Sequence, residues 1–383
     1  MKIRDWFLLL SAKQKVILFL TVILSLLIIL FGFFSNQQST KNTNVRFTTE
    51  MSIEKIAPKL GVTRKSLARE LDLPLDVSKR KSLKFFGVTE NKLSGVTNHL
   101  LSHVDAFAKY YLFFAIVLFG FVYLNFLGRP DKATIKQKDI WYPQLFYILF
   151  LFISLIFAGF LLGKSPNPME GVVKVFKSMI GLYPDPIAKT IAFIFFIILA
   201  IVGNKLICGW ACPFGALQEL IYSIPILKKI KKHKLPFVIT NSIRGGLFIL
   251  MPLFLFGIIG GREGFVIYHY LNPFNLFDFD FESLSILLTV VIVLVAAFFV
   301  YRPFCQLICP FGFISWIFEK ITISKVQIDK EKCVKCGICV KECPLEAAKG
   351  RVNQSKFPAD CFSCGRCLNV CPYDAIKYKP LKK

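Results

Sequence analysis

Histidine is scarce in this 383-residue chain, with four in all, so an imidazole-rich metal centre with three or four ligands is poorly supplied. Acidic residues are scarce too: 24 aspartates and glutamates stand against 48 lysines and arginines, for a formal net charge of +24. Charge of either sign is nearly absent from the stretches Val16 to Phe34, Phe107 to Leu127, Leu145 to Gly163, Ile187 to Ile207, Phe237 to Ile259 and Leu284 to Val300. With 55% hydrophobic residues, 41 phenylalanines and a mean hydropathy of +0.56, this excludes an ordinary water-soluble globular protein. Each stretch suits the ~20 residues that cross a bilayer, so six membrane spans are expected.

No small-x-small cleavage site follows Phe34, although Lys2, Arg4, Lys13 and Lys15 precede the first stretch. An uncleaved anchor is therefore expected rather than a removed signal peptide. Arg129, Lys132, Lys136 and Lys138 follow the second stretch, and Lys228, Lys229, Lys231, Lys232 and Lys234 follow the fourth. Positive charge marks cytoplasmic loops. The loop after the fifth stretch sets Arg262 against Glu263, Asp278, Asp280 and Glu282 and suits the outer face. Both termini are then expected in the cytoplasm, with the chain in the cytoplasmic (inner) membrane. The net charge reads as basic loops beside an anionic leaflet and not as a nucleic-acid surface.

Cysteine is not scarce, and its placement is ordered. Cys333, Cys336, Cys339 and Cys343 precede Pro344, and Cys361, Cys364, Cys367 and Cys371 precede Pro372. Each set is a C-x2-C-x2-C-x3-C-P run, the bacterial ferredoxin signature, in which the fourth cysteine serves the other cluster. One 4Fe-4S cluster is expected on Cys333, Cys336, Cys339 and Cys371, the other on Cys361, Cys364, Cys367 and Cys343. Gly337 and Gly365 suit tight loops, because glycine takes positive φ at no steric cost. A disulfide framework or a pair of structural zinc sites explains neither the third C-x2 step nor the terminal C-P. Thiolate clusters need a reducing compartment, which agrees with a cytoplasmic C-terminus.

The other four cysteines form two cassettes, Cys208-Gly-Trp-Ala-Cys212-Pro213-Phe214-Gly215 and Cys305-Gln-Leu-Ile-Cys309-Pro310-Phe311-Gly312, each at the end of a span. Lys205 and Arg302 stand three positions ahead, so the two segments read as an internal repeat, and repeated halves often share one site. If the segment continues as helix, the two sulfurs of each cassette share a face at i and i+4. Small cysteines also simply pack well, but packing does not call for duplicated cassettes. A further metal centre, a redox-active disulfide and the lining of a quinone pocket all fit four such thiols.

Two cassettes and eight ferredoxin cysteines on one multispan chain resemble the NapH/NosR/CcoG-type family of membrane-bound iron-sulfur proteins, over residues 107 to 378. The resemblance implies quinol oxidation and electron supply to extracytoplasmic respiratory reductases, and for the copper-handling branch an association with cytochrome oxidase assembly. This chain lacks the flavin-binding threonine motif of the nitrous-oxide branch and carries instead a small region from Val45 to His103.

That region reads as short helices. Ile53, Ile56, Ala57 and Leu60 fall at helical spacing before a Gly61 stop, Thr63 is an N-cap, Leu67 and Leu71 follow, and Pro74 breaks the run. A weaker second copy spans Phe85 to Leu100. Residues 56–64 superficially resemble a helix-turn-helix, but span counting places them outside, away from any genome. His99 and His103 form an i, i+4 pair that suits a metal or haem as well as an ordinary helix face. His269, between Tyr268 and Tyr270, suits an interfacial aromatic belt, the completion of such a site, or a quinol proton. Arg244 lies within the fifth stretch, where an ionisable residue is a functional candidate. With Lys205 and Arg302 it is placed as a quinone contact.

The expected protein is an α-helical polytopic membrane protein with a small helical extracytoplasmic insert and a C-terminal α+β two-cluster ferredoxin domain. Its parts are 1–34, a cytoplasmic segment and anchor; 35–105, the insert; 106–320, the membrane domain; and 321–383, the ferredoxin domain. The expected role is electron relay between the quinone pool or a cytoplasmic donor and a respiratory redox partner, as a quinol dehydrogenase-type component, with the cassette cysteines as its reactive candidates. The alternative is a redox- or copper-handling maturation or regulatory protein, since soft thiolates suit Cu(I).

Overall fold

The computed structural model describes residues 12–39, 47–60, 64–74, 77–102, 107–127, 145–182, 186–224, 234–260, 264–279, 281, 283–355 and 359–380. Helix α1 (Ala12–Ser39) lies along α2 (Phe107–Val122), with Phe31 meeting Tyr111 edge-on at 5.6 Å. The outward face of α1 carries Phe19, Leu20 and Leu27, and a helix apolar on all sides belongs in lipid. The chain then forms α3 (Leu145–Ile153), which continues as a wide π turn (Ser154–Leu161), α4 (Pro168–Met179), α5 (Pro186–Gly203) and α6 (Pro213–Ser223). Next come α7 (Phe237–Leu255), α8 (Leu284–Ala297) and α9 (Pro310–Phe318).

Among the described residues, four helical stretches are long and apolar enough to cross a membrane: Ala12–Phe31, Ala108–Asn125, Pro186–Gly203 and Phe237–Leu255. The third and sixth expected spans form shorter apolar helices, Phe146–Leu161 and Leu284–Ala297. Hydropathy counts apolar residues without seeing that Gly163 and Phe298 already lie beyond these helices.

Residues 47–102 hold a small core of their own, built from Ile53, Ile56, Ala57, Leu60, Leu67, Leu71, Leu83 and Leu93. The apolar positions read as helical fall on Ile53–Lys59 and Arg64–Glu70. In the second copy the Thr89 hydroxyl accepts from Lys92 N at 3.3 Å and caps Glu90–Ser102. Gly61, Thr63 and His103 lie outside the described residues, as do the loops bearing Arg129 to Lys138, Lys228 to Lys232, Arg262 and Glu263.

The C-terminal domain is a two-stranded antiparallel sheet, β1 (Ser324–Ile328) with β2 (Ile376–Pro380), with Ile328 opposite Ile376. Short helices Ile338–Glu342 and Arg366–Val370 pack on each other, each led by a left-handed glycine, Gly337 at φ 76° and Gly365 at φ 83°. This domain lies across the end of the bundle where α2 and α5 finish and α7 begins. Tyr378 meets Phe121 edge-on, Ile323 N donates to Ile201 O at 2.9 Å, and Phe237 N donates to Glu346 at 2.8 Å.

Candidate functional site

Two small cavities in the C-terminal domain sort its cysteines. Cys343, Cys361, Cys364 and Cys367 line one, and Cys333, Cys336, Cys339 and Cys371 line the other. The fourth cysteine of each run thus faces the other run's cavity. The halves share a backbone device: Lys335 and Gly337 in one, Ser363 and Gly365 in the other, hold positive φ and curl the loop round its cavity. Ala375 N donates to Cys371 Sγ at 3.3 Å. Burial pushes the thiols of Cys361, Cys364 and Cys367 up, that of Cys364 to about 12. Such thiols ionise when a cationic centre draws off their protons, so four inward-facing sulfurs with N–H support fit an iron-sulfur cluster. Among the described residues, no group of three or more His, Cys, Asp or Glu closes to single-ion spacing.

The cassettes do not meet the condition of a continuous helix that would set both sulfurs on one face. Cys208 sits in a π turn (Ile207–Ala211) and Cys305 in the short helix Pro303–Leu307, while Cys212 and Cys309 are extended, at ψ 116° and 117°. The cause is Pro213 and Pro310: the ring of a proline disfavours helical backbone at the residue before it and itself suits the first helical position. Cys212 and Cys309 therefore cap α6 and α9, and backbone N–H groups of Phe214 and Gly215 reach one sulfur and that of Gly312 the other. Gln218 joins the cassettes, accepting from Phe304 N at 2.9 Å and donating to Cys305 Sγ at 3.5 Å.

Lys205, Arg244 and Arg302, read from sequence as quinone contacts, are fully buried and engaged by protein groups. Asp360, the residue before Cys361, accepts from Lys205 Nζ and, at 2.7 Å, from Arg244 Nη1. Arg244 also donates to the Cys305 carbonyl at 3.1 Å, and Lys205 to that of Gly312 at 3.2 Å. Arg302 donates to the carbonyl of Cys208, to that of Gly209 at 2.8 Å, to Tyr147 Oη at 3.1 Å and to Glu219 at 3.0 Å. Glu219 accepts from Arg366 as well. Burial of charge costs several kcal/mol per ion unless it is paired and hydrogen-bonded, and both carboxylates here are doubly paired.

The second ferredoxin loop is locked onto the first cassette by neutral bonds too. Trp210 Nε1 donates to Ser363 O at 3.0 Å, and the Ser363 hydroxyl donates to the carbonyls of Gly203 and Asn204. The Phe362 ring lies 5.2 Å from the Arg302 guanidinium. Asp360, Glu219, Gln218, Trp210 and Ser363 escaped the sequence reading. The one visible signal was Glu219, the lone charged residue between Lys205 and Lys228. Tyr268 is buried and His269 part of the same short turn, Ile267–Tyr270. His103 lies outside the described residues, as does the side chain of His99.

Residues 188–233 and 283–327, which contain the cassettes, match a family described as a 4Fe-4S binding domain, and residues 325–372 match a 4Fe-4S dicluster domain. An uncharacterized protein of Methanocaldococcus jannaschii is 30% identical over 201 residues, 52% of this chain and 71% of the relative. The putative electron transport protein YccM of Escherichia coli (strain K12) is 25% identical over 186 residues, 46% of this chain and 52% of its own length. The ferredoxin-type protein NapH of the same strain is 28% identical over 169 residues, 43% of this chain and 56% of its own. The chain therefore spans about half the length of the two named relatives. No solved structure matches it.

Proposed function

From a chain that belongs to the NapH/NosR-type family of membrane ferredoxins, we propose a quinol-linked electron relay. A membrane-associated electron-transfer role is common ground with its named relatives; quinol is the substrate class we add. In this reading all six apolar stretches span the membrane, both termini are cytoplasmic and residues 35–105 lie outside. Two 4Fe-4S clusters, when bound, would each pass one electron, matching the two electrons that a quinol releases with two protons.

Asp360 carries the proposal. It stands next to a ferredoxin cysteine, and its two cationic partners also hold the carbonyls of the second cassette. The second ferredoxin run and the cassettes thus belong to one buried, charge-paired unit, which suits electron passage between them. Lys205, Arg244 and Arg302 hold that route in place. Cys309 is the cassette cysteine that keeps partial exposure, and we assign the quinol to its side.

The test is anaerobic purification in mild detergent, with iron, sulfide and copper analysis, then optical monitoring as a menaquinol analogue is added. Reduction within seconds, lost in Cys212→Ser and Cys309→Ser variants that dithionite still reduces, is the expected result. Wild-type protein that dithionite reduces and quinol does not would sink the quinol reading. Stoichiometric bound copper together with that silence would favour a maturation role.

A further inference from the structure

The halves of the ferredoxin domain present equivalent faces to different surroundings. In the second half Asp360, Phe362 and Ser363 are buried against the membrane domain. The matching positions in the first half are Lys332, Val334 and Lys335, and all three are exposed, Val334 to 55%. Cys336, beside them, is exposed as well, whereas Cys364 lies behind the docked loop with Tyr301 and Arg366. One half is thus occupied by the membrane domain and its equivalent is open. We propose that this open face is the docking port for a soluble, acidic one-electron carrier protein.

Charge names the occupant. The closed face meets buried cations through Asp360, while the open face carries lysine at the same position. Lys330, Lys332, Lys335 and Lys341 are exposed round the loop, against Glu331 and Glu342. A groove of about 610 Å³ reaches Cys333 and is lined in part by Lys325, Lys330 and Lys335. Val334, Ile338 (39% exposed) and Tyr373 (53% exposed) line the cavity of Cys333, Cys336, Cys339 and Cys371 and give the open face a small apolar patch. An apolar patch with surroundings of net positive charge suits transient docking, in which the charge sets the encounter rate and the partner's sign. The transfer is one electron between the carrier and the Cys333, Cys336, Cys339, Cys371 site, one oxidised as the other is reduced, with no proton required. This inference rests on the electron-transfer reading.

The experiment uses the full-length protein in a neutral detergent and anaerobic stopped-flow mixing with reduced flavodoxin, an acidic one-electron carrier. The expected bimolecular rate falls tenfold or more between about 10 mM and about 500 mM salt, as electrostatic steering is screened. At low salt the Lys330→Glu/Lys332→Glu double variant slows by a similar factor, its Gln counterpart by less, and dithionite reduces all three proteins equally. Equal flavodoxin rates for wild type and charge-reversed protein would overturn the proposal. So would an effect of these lysines on binding to anionic vesicles alone, which would assign them to the lipid surface. A protein that accepts electrons from flavodoxin with this salt dependence but never exchanges them with quinone would instead remove the quinol reading and leave the port standing.

Discussion

Arg302, three residues ahead of the second cassette, donates to the carbonyl oxygen of Cys208 in the first. Lys205, three residues ahead of the first cassette, donates to Gly312 in the second. Both residues hold left-handed backbone, φ 45° and 63°, a conformation that costs a non-glycine residue of order 1–3 kcal/mol and persists where its surroundings fix it. The basic residues that mark the repeat are thus exchanged between its halves. Each cassette is held by a donor that precedes the other.

Replacing Arg302 with leucine strips Glu219 of one of its two cations and removes donors from two buried carbonyls. Breaking a buried pair in this way costs about 3–5 kcal/mol. Thermal unfolding in detergent should register that loss, and Arg302→Lys should recover only part of it, because lysine cannot fork between carboxylate and carbonyls. Leucine and wild-type proteins melting together would show that the exchange carries no stability.

Asp360 predicts a pH response. Burial alone raises its carboxyl, but Arg244 and Lys205 outweigh burial and hold it below the ordinary carboxylate value. A depressed group contributes stability that is complete above the unfolded value, about 3.9, and lost as pH falls through the folded one. The wild-type domain should therefore stay docked from neutral pH down to about 4 and loosen only in stronger acid. Asp360→Asn should already show faster amide exchange in residues 359–367 at neutral pH, with little further change down to that limit. Identical exchange in the two proteins at neutral pH would refute the clamp.

The cysteine framework was legible because cluster ligation is local: spacing and proline placement alone sort Cys343 and Cys371 toward opposite cavities, where the folded chain puts them. The left-handed Gly337 and Gly365 and the apolar positions Ile53, Ile56 and Leu60 were legible for the same reason. Partners were not. Lys205 and Asp360 are 155 residues apart, and Arg302 and Glu219 are 83 apart, and no local rule pairs charges at such range. The cassette geometry lay between these cases. Helical spacing suggested sulfurs on one face, while the prolines after Cys212 and Cys309 carried the opposite and decisive signal.

Gly209 touches the second ferredoxin loop so closely that an added Cβ would fall inside contact distance of the Phe362 carbonyl. Gly209→Ala must push the loop away, at about 1–3 kcal/mol for an overpacked site. Gly246, in α7, has nothing near its missing Cβ, so Gly246→Ala serves as the control, in which a helix-interior alanine only stabilises. A lower thermal midpoint for the first variant and not the second is the expected pattern; equal midpoints would mean that the loop moves freely.

The crossing of the fourth cysteines is tested by pairing substitutions. If Cys343 serves with Cys361, Cys364 and Cys367, then Cys343→Ala should lower iron and sulfide by about half. Adding Cys361→Ala should lower them no further, because both changes fall on one cavity. Adding Cys333→Ala instead should abolish what remains, because that residue faces the other cavity with Cys371. An uncrossed arrangement reverses the two double variants, with Cys343 and Cys333 sharing one loss and Cys343 and Cys361 compounding theirs. Since each double variant is compared with the same single variant, a general loss of stability would lower both doubles together and be told apart from either ligand scheme.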